Sequence, residues 1–331
     1  MDLIDLTGRE PTWSDASRRN WTAALRETAG DFDRSTRGHP LGAVLRELLG
    51  LTEEPFVTSG VRAVIPVLAS LGRRVVVEAP TFDDVPRLFR RHGCEVTAAP
   101  LGRVLEVATP ADRHLIWVTS PARNPDGGGV DDPTATALRG FREAGGIVVQ
   151  NETYRWYARR PRRIGASIVV GSFHKLAGSW SRLGWLSGDL PGRLRADLPY
   201  QGPPAHWQSA WARFITAAGL GPLVDTARLV TGLTEEVAGA VRGEPAGAAG
   251  WTGTGPSLLL RIPHPDPVAT LRFRLGILAN PGASFGAGTD TVRLCLVGAP
   301  ADLDRERIRN IRQVLDGRVV EPADNDRPAP G

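Results

Sequence analysis

The chain has 331 residues, 40 Lys plus Arg against 36 Asp plus Glu, a formal net charge of +4 and 41% hydrophobic residues, enough for two domains with a core in each. Its two cysteines, Cys94 and Cys295, exclude a disulfide scaffold and any Cys-based zinc cluster. No apolar run approaches the ~20 residues of a membrane helix, and MDLIDLTGREPTW lacks a signal-peptide core, so a soluble, cytoplasmic protein without a membrane partner is expected. A charge of +4 is a weak field over this length. The densest basic run, Arg159-Arg160-Pro161-Arg162-Arg163, has no interleaved aromatics and reads as a solvated loop, so no nucleic-acid partner is expected.

From Val57 to Gly184 the pattern is strand, turn, helix, repeated. Val61 to Leu71 carries apolar residues at helical spacing after the turn Thr58-Ser59-Gly60. Arg74 to Glu78 is a short apolar strand ending at Ala79-Pro80, Asp83 to His92 an amphipathic helix, and Glu95 to Ala99 a strand. His114 to Thr119 is a strand that runs into the turn-rich stretch Ser120 to Gly129. The helix Asp132 to Ala144 follows, then strands at Gly146 to Gln150, Ser167 to Ser172 and Leu183 to Ser187. Alternation of this kind predicts an α/β domain, a mainly parallel sheet sandwiched by helices.

After Gly219 the texture changes. Leu220 to Val241 reads as one long helix, and Arg242 to Gly255 as a Gly/Ala-rich loop. Strands are expected at Ser257 to Ile262, Gly276 to Asn280 and Thr291 to Leu296, with a closing helix over Asp302 to Leu315 whose outer side carries Arg305, Arg307 and Arg309. The resulting division is an N-terminal arm (1–37), a large domain (38–218), a smaller α+β C-terminal domain (219–320) and a disordered tail (321–331). There are no internal repeats, no GxGxxG and no P-loop lysine motif.

Lys175 is the only lysine, so every other residue in the basic count is Arg. Arg stays protonated, whereas a desolvated Lys can lose its proton and attack a carbonyl carbon. A single Lys kept in such a background invites a Schiff-base reading, and its surroundings decide it. In an open α/β sheet ligands bind beyond the C-terminal strand ends. The ends here carry Ser59-Gly60, Thr81-Phe82, Asn124, Asn151 to Tyr154, and Ser172 to Arg182, the last stretch holding Lys175.

Taken together, these segments resemble the fold-type I enzymes dependent on pyridoxal 5'-phosphate (PLP), in the class I/II aminotransferase branch, in the family's order and over nearly the whole chain. SFHKLAGSWSRLGW (172–185) resembles the lysine segment, which makes Lys175 the Schiff-base lysine and sets Ser172 and Arg182 on the cofactor phosphate. Ser59-Gly60-Val61-Arg62 looks like the turn that cradles the phosphate at a helix start, where backbone N–H groups and the helix dipole favour an anion. Phe82 matches the aromatic residue stacked on the pyridine ring. Asn124 of Asn-Pro-Asp-Gly, with Tyr154, matches the pair that hydrogen-bonds the phenolic oxygen. Arg293 in Val-Arg-Leu matches the arginine that holds the substrate α-carboxylate. The resemblance implies a homodimeric PLP enzyme acting on an α-amino acid and, in transamination, a 2-oxo acid, with Lys175 moving the Cα proton.

Taken singly, these features are weaker. Asn-Pro-Asp-Gly is a good turn anywhere, Phe82 alone suits a core, Arg293 alone suits an ion pair, and Ser-x-x-Lys also occurs in hydrolases. It is their order around the only Lys that carries the resemblance. Three departures stand against it. Asn151 sits where the family usually has an Asp paired with the pyridinium nitrogen, which weakens the electron sink and raises an alternative: a decarboxylase, an eliminating lyase or a cyclase of a specialised pathway. The partner-subunit tyrosine that reaches the phosphate is not evident in Asp31 to Gly42, where Arg34 or Arg37 is a substitute. The chain is also short for the family in its N-terminal arm, and the substrate side-chain pocket is expected around Trp13, Trp156 and Trp207. His174 is expected to pack beneath the cofactor, and Cys94 and Cys295 to be buried small apolar residues. A non-catalytic regulator on the same fold is a further alternative; the regulators of that kind carry a winged helix, for which Met1 to Gly30 is too short.

Overall fold

The computed structural model describes residues 3–30, 40–159, 161–198, 202–217, 219–242, 253–299, 303 and 305–315. Arg34, Arg37, most of the segment in which the partner-subunit tyrosine was sought, most of the Gly/Ala-rich loop and the tail 321–331 lie outside the described residues.

The chain begins with the short strand β1 (Ile4–Asp5) and the helix α1 (Asp15–Glu27). Ser14 starts this helix: its hydroxyl accepts the Ser17 N–H at 3.1 Å, and Asp15 adds an acid in the first turn. Helix α2 (Leu41–Leu49) follows and ends on Gly50 in the left-handed conformation. Neither helix was read in the sequence, although the Ser14 cap and the burial of Ser17, Trp21 and Ala24 on one face are ordinary local signals.

The large sheet is then built from β2 (Phe56–Thr58), β3 (Arg74–Ala79), β4 (Glu95–Pro100), β5 (Leu115–Thr119), β6 (Ile147–Asn151), β7 (Ile168–Ser172) and β8 (Gly184–Gly188), in the spatial order β2-β8-β7-β6-β5-β3-β4. Only β8 runs against its neighbours, so the sheet is mainly parallel, as expected from the alternating pattern. Between these strands lie α3 (Val61–Ala69), α4 (Asp84–Arg91), the short α5 (Val104–Val107), α6 (Asp132–Glu143) and the one-turn helix α7 (His174–Ala177). After β8 come α8 (Gly192–Asp197) and α9 (Ala205–Thr216).

Successive buried side chains along the strands alternate between the two faces of the sheet, which explains the two helical layers. Val75, Val77, Leu115 and Trp117 pack under α3 and α4 with Leu68 and Phe89. Val76, Ile116, Val118 and Val148 face the other way, toward Leu138 and Phe141 of α6. With both faces covered, the strands read as continuous apolar runs; every residue of β5 is buried. Gly171 in β7 is required by close approach: a Cβ there would meet the Trp185 indole at 2.0 Å.

The C-terminal part contains α10 (Gly221–Arg242), β9 (Ser257–Arg261), α11 (Pro267–Leu275), β10 (Ile277–Leu278), β11 (Asn280–Pro281), β12 (Thr291–Cys295) and α12 (Arg305–Leu315). The single strand expected over Gly276 to Asn280 is divided in two. β10 pairs in parallel with β1, while β11 pairs antiparallel with β12 in the sheet β11-β12-β9. The physical reason is a partner from far away in sequence: Ile4 and Leu6 are buried among Ile277, Leu271 and Leu294 and capture one half of the segment. Among the described residues no helix is long and apolar enough to cross a membrane, and no cluster of His, Cys, Asp and Glu could hold a metal ion.

Candidate active site

The C-terminal ends of β2, β3, β5, β6 and β7 open onto one cavity of about 550 Å³. Ser59, Gly60, Val61, Arg62, Phe82, Asn124, Asn151, Tyr154, Ser172, Lys175, Arg182 and Arg293 all line it. At one end is the start of α3. Gly60 precedes it with φ +110°, a conformation that a side chain would strain, and no side chain caps the helix or places an acid in its first turn. The Ala63 N–H donates to the Gly60 carbonyl at 3.1 Å, and the Val61 and Arg62 N–H groups at the helix start suit an external anion. Ser172 stands beside this turn, its Oγ accepting the His174 N–H at 3.0 Å, and Arg182 occupies the left-handed region at φ 43°.

Lys175 sits in the single turn α7, directly after β7. Tyr157 donates its hydroxyl to the Lys175 carbonyl at 2.5 Å and fixes the backbone there. Burial, reinforced by the Arg293 and Arg62 charges, pulls the Lys175 ammonium below its ordinary pKa, although Cys295 and Glu10 oppose this. His174 lines the same cavity, and burial with the neighbouring Lys175 charge holds it down to about 4, a neutral imidazole at physiological pH.

Arg293 approaches from β12. Its Nη1 donates to Asn280 Oδ1 at 2.9 Å and to the Thr7 carbonyl at 3.3 Å, and the guanidinium lies 5.0 Å from the Phe285 ring centroid. The residue is 5% exposed, its Nε is buried without a partner, and no carboxylate among the described residues pairs with it. A buried guanidinium left without a counter-ion is costly, and a carboxylate ligand relieves it. Asn124 likewise has its Oδ1 buried without a partner. Burial holds the Tyr154 phenol well above its ordinary pKa; Cys295 adds to the shift and Arg293 opposes it.

Among the described residues Asp84 is the one acid lining the cavity, and it is ion-paired with Arg62 and Arg87. Lys175, Arg182 and Arg293 therefore give the cavity a net cationic character suited to anionic groups. Glu152, the acid next to Asn151, is wholly buried and turned to Arg155 at 2.7 Å and Arg163 at 3.6 Å, so it takes no part.

The expected side-chain pocket around Trp13, Trp156 and Trp207 is overturned. Trp13 packs against Trp21 and Phe214 and donates to the Ala177 carbonyl at 3.0 Å. Trp156 packs on Phe173 and Trp185, and Trp207 donates to the Ser181 carbonyl at 2.8 Å. Large amphipathic rings were more useful as core and backbone clamps than as pocket wall. Other residues that complete the wall, Thr7, Asn280 and Phe285 among them, were not singled out in the sequence. The turn signal Asn280-Pro281-Gly282 could have marked one of them; Thr7, 286 residues from Arg293, has no local signal. Cys94 and Cys295 are both buried, and Arg293 and Lys175 lower the Cys295 thiol against its burial.

No protein-family model matches the chain, and no curated protein matches it. Solved structures do. An aspartate aminotransferase double mutant from Thermus thermophilus superposes with a TM-score of 0.76 at 20% identity, over 95% of this chain and 92% of that one. A kynurenine aminotransferase from Pyrococcus horikoshii, solved in complex with PMP and kynurenine, gives 0.77 at 20% identity, over 96% and 91%. An α-aminoadipate aminotransferase from Thermus thermophilus, complexed with N-(5'-phosphopyridoxyl)-L-leucine, gives 0.72 at 21% identity, over 95% and 92%. The chain has the fold of these enzymes across its length.

Proposed function

We propose that the chain is a PLP-dependent aminotransferase acting on an α-amino acid and a 2-oxo acid. The observation that carries this is the convergence, in one cationic cavity, of the only lysine in the sequence with an unfilled helix start and a buried guanidinium that lacks a counter-ion. The residues fit the cofactor. The turn Ser59 to Arg62, Ser172 and Arg182 would hold its phosphate, Phe82 would cover the ring, and Asn124 with Tyr154 would meet its phenolic oxygen. When bound, PLP links covalently to an amine and delocalises the electrons left at Cα.

The chain's own residues supply the rest. Burial favours the neutral Lys175 amine that a nucleophile and proton carrier needs, and the Tyr157 hydrogen bond keeps its backbone in place. Arg293, held by Asn280 and Thr7, would clamp the α-carboxylate and so fix which Cα bond faces the lysine. His174, neutral, would add no charge beside the amine. The reading carries with it a homodimer in the cytoplasm, which analytical ultracentrifugation and localisation of the tagged chain would check.

The first experiment is the near-ultraviolet and visible spectrum of the full chain mixed with PLP, beside Lys175→Ala. A new band present in the wild type and lost in the variant is expected; equal spectra in both would overturn the reading. Asn151 favours a second reading, a decarboxylase, eliminating lyase or cyclase on the same cavity. Stoichiometric keto-acid from an amino acid supports transfer, and release of CO2 or a leaving group without it supports the alternative.

A further inference from the structure

Asn151 ends β6, flanked in the sheet by Thr119 of β5 and Val170 of β7, and lines the cavity where Lys175 enters from the next strand. Its Oδ1 accepts twice from Thr153, from the backbone N–H at 3.1 Å and from the hydroxyl at 2.6 Å. A backbone N–H can only donate, so the orientation of the carboxamide is settled: the oxygen is tied to Thr153, and Nδ2, which carries two donors and no acceptor, is the other end.

We infer that Asn151 offers an amide N–H to the ring nitrogen of the cofactor and that this chain holds that nitrogen unprotonated. The inference rests on the proposed reading of the cavity. In PLP the ring nitrogen lies para to the ring carbon that bears the aldehyde, so a cofactor joined to Lys175 would carry that nitrogen on the far side of its ring from the lysine, within the cavity that Asn151 also lines. A nitrogen facing an amide N–H must accept with its lone pair; a protonated one would set donor against donor. Among the described residues the nearby acids are committed elsewhere: Glu152 to Arg155 and Arg163, Asp84 to Arg62 and Arg87, Glu10 to the Ser179 N–H and one Glu78 oxygen to the Thr119 N–H. The guanidinium groups of Arg182 and Arg293 around the cavity also oppose a further positive charge. A neutral ring withdraws electrons less strongly, so the substrates of this site are those whose carbanion needs less stabilisation.

The test is nitrogen-15 NMR of full-length protein loaded with PLP labelled at the ring nitrogen, in wild type, Asn151→Asp and Asn151→Ala. The wild type is expected to resonate where free-base pyridine does at neutral pH, and Asn151→Ala to stay there. In Asn151→Asp one carboxylate oxygen remains on Thr153 and the other accepts from the ring, so the resonance is expected to move upfield toward pyridinium. A pyridinium shift in the wild type, which needs no variant to fold, would overturn the inference, as would an Asn151→Asp spectrum unchanged from wild type. Absence of both a bound resonance and a Lys175-dependent absorbance band would overturn the cofactor reading and the inference together; a band with a pyridinium shift would overturn the inference alone.

Discussion

Two regions meet at the segment that carries Lys175, and they handle polar groups in opposite ways. In one, Trp13, Trp21, Trp180, Trp207, Trp211 and Phe214 form a nest with neighbouring ring centroids as close as 4.6 Å. Its indole N–H groups are put to use: Trp13 donates to the Ala177 carbonyl, and Trp207 and Trp211 both donate to the Ser181 carbonyl. The cavity, in contrast, leaves Asn124 Oδ1 and Arg293 Nε buried and unpartnered. The contrast teaches that the nest supplies rigidity so that the cavity can hold its groups ready without partners of their own.

That division can be broken by mutation. Trp211→Ala removes a wholly buried indole and its hydrogen bond, and should cost about 3–5 kcal/mol in denaturant unfolding. Hydrogen exchange should rise across Ala177 to Ser181 in the same variant. A stability equal to wild type would sink the idea of the nest as a clamp. Arg293→Met should behave in the opposite sense. Removing a buried charge without a counter-ion leaves thermal stability equal or higher, while KM for the amino acid rises by roughly a hundredfold, the scale of about 3 kcal/mol. Loss of both stability and affinity would mean that the guanidinium is structural.

Beneath the cavity, Glu78 tests whether polar strain is confined to the site. It is wholly buried, with Oε1 accepting the Thr119 N–H at 2.6 Å and Oε2 unpartnered. Burial pushes its carboxyl from 4.5 up to about 7, with Arg123 opposing. The neutral acid is the form that the fold favours. Its stabilisation is therefore complete below 4.5 and is lost as pH rises through about 7. Glu78→Gln, neutral throughout, should remove about 1–3 kcal/mol of that pH dependence in unfolding measured across the same window. The smallest effect is expected at the rim of the nest. Arg213 of α9 meets Glu27 of α1 on the surface, and Arg213→Ala should change stability by about 0.2–1 kcal/mol.

Much of this was legible in the sequence because its signals are local. Short apolar runs alternating with helical segments marked the strands from Arg74 to Ser187 to within a residue or two, and the strand-end turns with the lone Lys175 marked the residues that converge in the cavity. The helix α1 was missed despite its Ser14 cap because its composition is largely polar. The three tryptophans taken for a pocket wall were misread because a large ring carries no local sign of which side of a loop it packs against.

By itself the sequence determined the αβ alternation, the glycine that starts α3 and the chemistry available at each strand end, since these depend on neighbours two to four residues away. Only the tertiary structure decided that β1 divides the 276–280 segment between two sheets, that Thr7 and Asn280 hold Arg293, and that Thr153 ties down the Asn151 carboxamide oxygen at the cavity wall. For the strand division and for Arg293, the partners lie on different elements and are brought together by burial of shared apolar surface, which leaves no periodic trace along the chain. For Asn151 the partner is close in sequence, but its place in the cavity wall follows from the pairing of β6 between β5 and β7.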